Sequence, residues 1–363
     1  MKSEQLIEVI KTMRIEILDK LLNTDLLNEE QANRALATIN DMFKRLDLDI
    51  DDVIPQDILF SYFGGVDEGS KALVDAGIDP KYGVSASISS GGEVTSAFAT
   101  HVHMQAVAEL TDNTMMDLKA AIRTARNSAN KAIGNVLDSV KSDIQSGIIS
   151  GNPRKEITKR VAESFAKQGM HAFTTINGKS LPLDFYSQVV TRTNMKMANT
   201  QGVINRYQEN DVELIKITGN TPTCEECAPY RDIVFSLTGE TEGFTQLGAD
   251  ETPPFHPNCH CSVIAYVDQY KDGIEINKEK QKSMDFDPNK DTRSEEHKQA
   301  YADKQKNNRK RNEEKKQYAR YKAVLGDDAP KTLGGFRRSK RSNSDNFKKM
   351  QSKYRSEVQK MSG

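Results

Sequence analysis

The first periodicity in the chain is helical. Leu6, Ile10, Met13, Ile17 and Leu21 recur at steps of three and four and mark one face of a helix that begins near residue 4. The stretch Asn23 to Asn28 breaks the pattern, and Asn28 is suited to cap a second helix with the stripe Ala35, Leu36, Ile39, Met42, Phe43 and Leu46. Residues 4–46 therefore predict a helical hairpin. Pro55 predicts the start of a short helix through Phe63, and Gly64-Gly65, Asp79-Pro80 and Ser89-Ser90-Gly91-Gly92 predict loops. A long helix follows over roughly 100–146, with Leu118, Ile122, Ala125, Ala129, Ile133, Val136, Val140 and Ile144 as its packing face. His101 and His103, two apart near its start, fall on different faces and read as surface residues. Gly147 and Gly151 end this helix; Asn152 caps another that Pro153 opens and Gly169 stops.

The period then changes. The run from His171 to Leu183 predicts a hairpin around an Asn177-Gly178 turn, and 183–209 returns to helix. VELIKIT over 212–218, IVFSLTG after the first cysteine pair and SVIAYV after the second predict strands. The fold class is α+β: a mainly helical body, a small β-sheet region pinned by a cysteine-rich site, and a polar, basic C-terminal tail. The expected organisation is a helical hairpin over 1–50, a helical domain over 51–170, an α+β domain over 171–270 and a charged tail over 271–363.

All four cysteines lie between Thr218 and Val267: Cys224 and Cys227 as Cys-x2-Cys, then Cys259 and Cys261 as Cys-x-Cys, with His256 three residues before Cys259. Paired thiols at both ends of a loop suit a tetrahedral metal, normally zinc. If Cys259 and Cys261 lead into a strand they share a face, and His260 points away. That favours a structural four-cysteine zinc site, with His256 as a reserve ligand or a hydrogen-bonding supporter. The alternatives are two disulfides, or four thiols without metal. His256 as a catalytic base lacks a carboxylate fixed by spacing.

Composition shifts the picture toward a partly solvated chain. Only 36% of residues are hydrophobic, 28% are charged and Trp is absent. No run of apolar residues is long enough to span a membrane, and the start MKSEQLIEVIK has no secretory apolar core, so a reducing compartment is expected. The net charge of −1 hides an asymmetry: residues 271–363 hold 26 Lys plus Arg against 15 Asp plus Glu, leaving 25 against 37 in residues 1–270. A basic tail on an acidic body points to an anionic partner. Arg337, Arg338, Lys340, Arg341, Lys348 and Lys349 are the candidate nucleic-acid contacts, with Phe336 and Phe347 available to stack on bases. The segment 294–325 has helical propensity without a continuous apolar face, so the tail reads as partly helical and ordered by a partner, or as solvated or disordered.

The text from Ile176 to Gly219, the CEECAPYRDIVFSLTG segment and FHPNCHC resemble the phage minor capsid protein 2 family, related to the F-type head morphogenesis proteins of phage Mu. The matching features are Arg192-Thr193 on a helix, the Cys-x2-Cys pair, the run from His256 to Cys259, and more loosely Tyr301 and Gln305 in the tail. The family commonly carries a basic residue where this chain has His260. The resemblance implies a minor structural protein of a tailed-phage head, assembled in the host cytoplasm and resident in the virion, in the capsid interior or portal region. It implies portal or major capsid protein as partner, with scaffold and packaged DNA as further partners, and a role in packaging or ejection. Two enzymatic alternatives stand beside it. One is an ADP-ribosyltransferase-like site using Arg192, Glu240 and Glu242; the other is a metal-dependent nuclease built on the cysteine–histidine segment.

Overall fold

A computed structural model describes residues 2–83, 85–145, 157–158, 160–161, 164–165, 169–175, 177–325 and 328–362. The helix boundaries expected at Gly147, Gly151, Asn152 and Pro153 lie outside them. The chain divides into two compact units, Met1–Asn220 with Pro229–Lys290, and Thr221–Ala228 with Asp291–Gly363.

In the first unit, α1 spans Ser3–Leu22 and α2 spans Glu29–Asp75. The α1 stripe is its buried face: Leu6, Ile10, Met13, Ile17 and Leu21 all join the core. Asn28 caps α2, its side chain accepting the Gln31 N–H at 3.0 Å. Beyond Leu46 the expectation fails. α2 runs on through Pro55, Gly64 and Gly65, where a new helix start and a loop were predicted. An interior proline costs about 3 kcal/mol. Ile54, Ile58, Tyr62 and Phe63 are wholly buried around it, and each such side chain contributes about 1.5–3 kcal/mol. Packing therefore outweighs the local penalty.

α3, His101–Gln145, buries Leu118, Ile122, Ala125, Ala129 and Ile133 against that core. α4, Leu183–Glu209, crosses α2 at glycines. A Cβ on Gly65 would lie 2.0 Å from the Asn199 carbonyl oxygen, and one on Gly202 would lie 2.1 Å from that of Tyr62. Gly65, predicted as a helix breaker, instead lets two backbones touch.

His103 corrects a second expectation: it is 1% exposed, not a surface residue. Asn205 Nδ2 donates to the Tyr62 hydroxyl oxygen at 2.6 Å, so the Tyr62 proton is directed at His103 Nδ1, 2.8 Å away. That tautomer leaves the ring N–H on Nε2, facing Glu209 Oε2 at 3.5 Å. Beside it Arg206, also fully buried, donates to Ser70 Oγ at 2.7 Å, to Glu209 at 2.8 Å and to the Lys81 carbonyl. Burial holds the His103 pKa below the usual imidazole value against the opposing pull of Glu209.

β1, His171–Thr174, and β2, Ser180–Pro182, form an antiparallel hairpin, with Gly178 of the Asn-Gly turn at φ +73°. The second sheet has the order β4-β3-β5, all antiparallel, with β3 at Leu214–Thr218, β4 at Val234–Ser236 and β5 at Ser262–Ala265. All three lie within the runs predicted as strands. α5, Gly273–Met284, packs beside β4 and places buried Glu279 3.2 Å from Lys216 of β3 and 2.6 Å from Lys282.

The second unit carries α6, Glu295–Leu325, α7, Leu333–Arg341, and α8, Asp345–Ser362. Its helices share a core of Tyr321, Leu325, Ala329, Phe336, Phe347 and Met350. Tyr321 stacks on Tyr354 with ring centroids 4.3 Å apart, and Phe336 meets Phe347 edge-on at 5.8 Å. Of the two readings of the tail, partly helical or disordered, the structure shows helices with their own core, and Phe336 and Phe347 are buried in it rather than presented for base stacking. In α8, Phe347, Met350 and Tyr354 recur at helical steps and face this shared core.

Candidate metal centre

β3 delivers the chain to Gly219, and β5 begins just after Cys261. A Cβ on Gly219 would lie 3.1 Å from Cys261 Sγ, so the absent side chain leaves room for the sulfur. The Cys259 N–H donates to the His256 carbonyl at 3.0 Å, and Asn258 takes the left-handed conformation at φ +64° inside this turn. The Cys261 N–H donates to Cys259 Sγ at 3.4 Å. Cys259 and Cys261 are both buried, and His260 between them is exposed, as the alternation predicted. His256 Nδ1 lies 2.9 Å from the Pro257 carbonyl oxygen. A carbonyl only accepts, so Nδ1 carries the proton in this contact.

Cys224 and Cys227 sit on a short turn in which the Ala228 N–H donates to the Cys224 carbonyl at 3.1 Å. Cys227 is buried and Cys224 partly so. None of the four thiols is joined in a disulfide. Two overlapping sets of ligand atoms lie within 4.8 Å of one another: Cys224, Cys227 and His256, and Cys227, Cys259 and Cys261. A buried thiol–imidazole group of this kind can hold a metal ion. The donor chemistry fits a soft, tetrahedral ion such as zinc. Cys227 is common to both sets, which spacing alone did not single out.

The other candidates are placed less favourably. Arg192 on α4 is exposed, as are Glu240 and Glu242 in the loop after β4, and among the described residues no ion pair joins Arg192 to either. Of the tail cations, Arg337 Nε is 2.9 Å from buried Glu314, and Lys340 Nζ donates to Gln317 Oε1 at 2.6 Å. Both help hold α7 to α6. Arg338, Arg341, Lys348 and Lys349 are exposed, with Lys348 3.6 Å from Asp345. Sequence reading missed Arg293, whose side chain is 8% exposed and lies against the Cys-x2-Cys turn. Its only signal was its place eight residues before the loosely matching Tyr301.

The fold is a mainly helical α+β chain with a small antiparallel sheet beside a thiol-rich turn. Residues 71–361 match the family described as phage minor capsid protein 2, and the chain belongs to that family. Membership gives it a structural role in the phage head and a place in the virion. It supports a non-enzymatic function and contact with other head proteins. No curated protein and no solved structure matches the chain. Among the described residues no helix is long and apolar enough to cross a membrane.

Proposed function

We propose that the chain acts in head morphogenesis at the portal or inner capsid wall, as a zinc-stapled minor component whose basic C-terminal unit meets packaged DNA. The observation that carries this reading is the buried thiol group within a chain of a phage minor capsid family. Cys224, Cys227, Cys259 and Cys261 are the ligands, and His256 supports them. Such a staple contributes on the order of 10 kcal/mol to local folding. It leaves no open coordination position for a metal-bound water, and so serves structure rather than hydrolysis.

Portal and major capsid protein are the direct partners, with scaffold during assembly. The acidic body suits protein contacts, and the basic unit suits the DNA they enclose, in packaging or ejection. Cross-linking mass spectrometry of intact virions tests this. Cross-links from residues 1–290 to portal or capsid protein are expected, and cross-links confined to tail proteins would overturn the assignment.

A further inference from the structure

Thr292 and Arg293 lie just before the first C-terminal helix, yet both side chains reach the cysteine turn. Thr292 Oγ1 donates to the Ala228 carbonyl at 2.7 Å, and Arg293 Nη1 donates to the Thr223 carbonyl at 3.3 Å. Thr223 immediately precedes Cys224, and Ala228 immediately follows Cys227. Two consecutive residues therefore hold the two ends of one Cys-x2-Cys turn. Arg293 is itself fixed. Asp291 takes its Nε and Nη2 protons at 2.8 Å each, a two-pronged pair, and the Tyr301 ring lies 5.7 Å from the guanidinium carbon. Glu225, inside the turn, lies 3.8 Å from Nη2.

We propose that Thr292 and Arg293 form a brace that sets the Cys224–Cys227 turn in its metal-binding shape, with Arg293 as the positioning residue. This rests on the reading of the cysteine group as a zinc site. The physical reason is preorganisation. A Cys-x2-Cys turn binds metal with both sulfurs converging, and an unbraced loop loses conformational freedom when the ion arrives. Hydrogen bonds to both flanking carbonyls remove that cost in advance. The guanidinium is needed because its planar fork meets Asp291 with two donors and still has one for the Thr223 carbonyl; a lysine ammonium has no such fork.

An ordinary ion pair does not account for this arrangement. Exposed pairs contribute about 0–1 kcal/mol and tolerate replacement. Arg293 is buried, and three of its nitrogens are engaged. The brace also accounts for the position of Tyr301, whose ring lies over the guanidinium.

The test uses the full chain and competition between the protein and a chromophoric chelator for zinc, repeated with cobalt to follow the thiolate–metal absorption. Arg293→Gln is expected to weaken zinc binding about 10–100-fold, the range typical when a group supporting a ligand is removed. Arg293→Lys should recover less than half of that effect on a logarithmic scale. Thr292→Val, which keeps shape but removes the hydroxyl, should weaken binding in the same direction. Arg309→Gln, on an exposed face of the same unit, should leave it unchanged. The metal-free melting temperature should be the same in Thr292→Val and the parent, separating a brace from a general fold defect. If the parent binds no zinc, the metal reading itself fails. If the parent binds zinc and both Arg293→Gln and Thr292→Val bind it equally well, the brace is overturned while the metal reading stands.

Discussion

Gly202 of α4 lies directly against the backbone carbonyl of Tyr62 in α2, so close that a methyl group there would sit 2.1 Å from the oxygen. The reciprocal contact is made by Gly65 on Asn199. Gly202→Ala would gain about 1 kcal/mol of helix propensity. Relief of the clash requires the two helices to part along a wholly buried seam, and overpacking of this kind costs about 1–3 kcal/mol or more. The clash wins. Thermal unfolding should show a melting temperature lowered by several degrees; an unchanged or raised value would contradict the contact.

His103 supplies a pH dependence with a definite sign. Burial lowers its pKa in the folded chain below the ordinary 6.5, although Glu209 pulls the other way. The unfolded chain therefore binds a proton at a pH where the folded chain does not, and stability falls as pH drops below about 6.5 toward the folded pKa. The charged groups facing the ring are Glu209 and Arg206, with the Tyr62 hydroxyl on its other nitrogen. Urea midpoints at pH 7.5 and 5.5 should differ more in the parent than in His103→Asn. Equal differences would remove His103 from the effect.

The two ligand sets make separate predictions about metal. Cys227 belongs to both, so Cys227→Ser should abolish zinc binding by elemental analysis. Four thiolates complete the proposed site, so His256→Ala should retain one zinc per chain. Zinc absent from His256→Ala and kept in Cys261→Ser would instead assign the site to Cys224, Cys227 and His256.

The tail cations divide by what already holds them. Arg338, Arg341, Lys348 and Lys349 are exposed, whereas Arg337 is engaged by Glu314 and Lys340 by Gln317. Replacing the four exposed residues by Gln should flatten the dependence of DNA affinity on salt, by about 0.9 in log–log slope for each phosphate no longer neutralised. Arg337→Gln should change that slope little and weaken the packing of α7 on α6 instead. An unchanged slope in the fourfold variant would remove DNA from the function of this face.

Much of the architecture is legible in local patterns. The α1 stripe, the Asn28 cap, the Asn177-Gly178 hairpin and the three short strands each follow from a few neighbouring residues, because side-chain period and turn chemistry are local properties. The thiol group was legible for the same reason: cysteines are rare here and come in pairs at fixed spacing. Gly65 was misread because a glycine that ends a helix and one that admits a neighbouring helix look alike in one dimension, and Pro55 because the burial that outweighs its local penalty is tertiary. His103 was misread because its hydroxyl and carboxylate partners, Tyr62 and Glu209, lie 41 and 106 residues away along the chain. The aromatic residues of the tail looked available because the core that claims them is shared among α6, α7 and α8.

By itself the sequence determined most of the helical and extended segments, the paired spacing of the four thiols and the separation of charge between body and tail, all of which depend on residues near one another. Only the tertiary structure decided which glycines touch backbone, which histidine is buried, which cations remain available, and that Thr292 and Arg293 return to flank a cysteine turn some seventy residues earlier. Those are contacts between distant segments, set by packing and burial, and no local spacing encodes them.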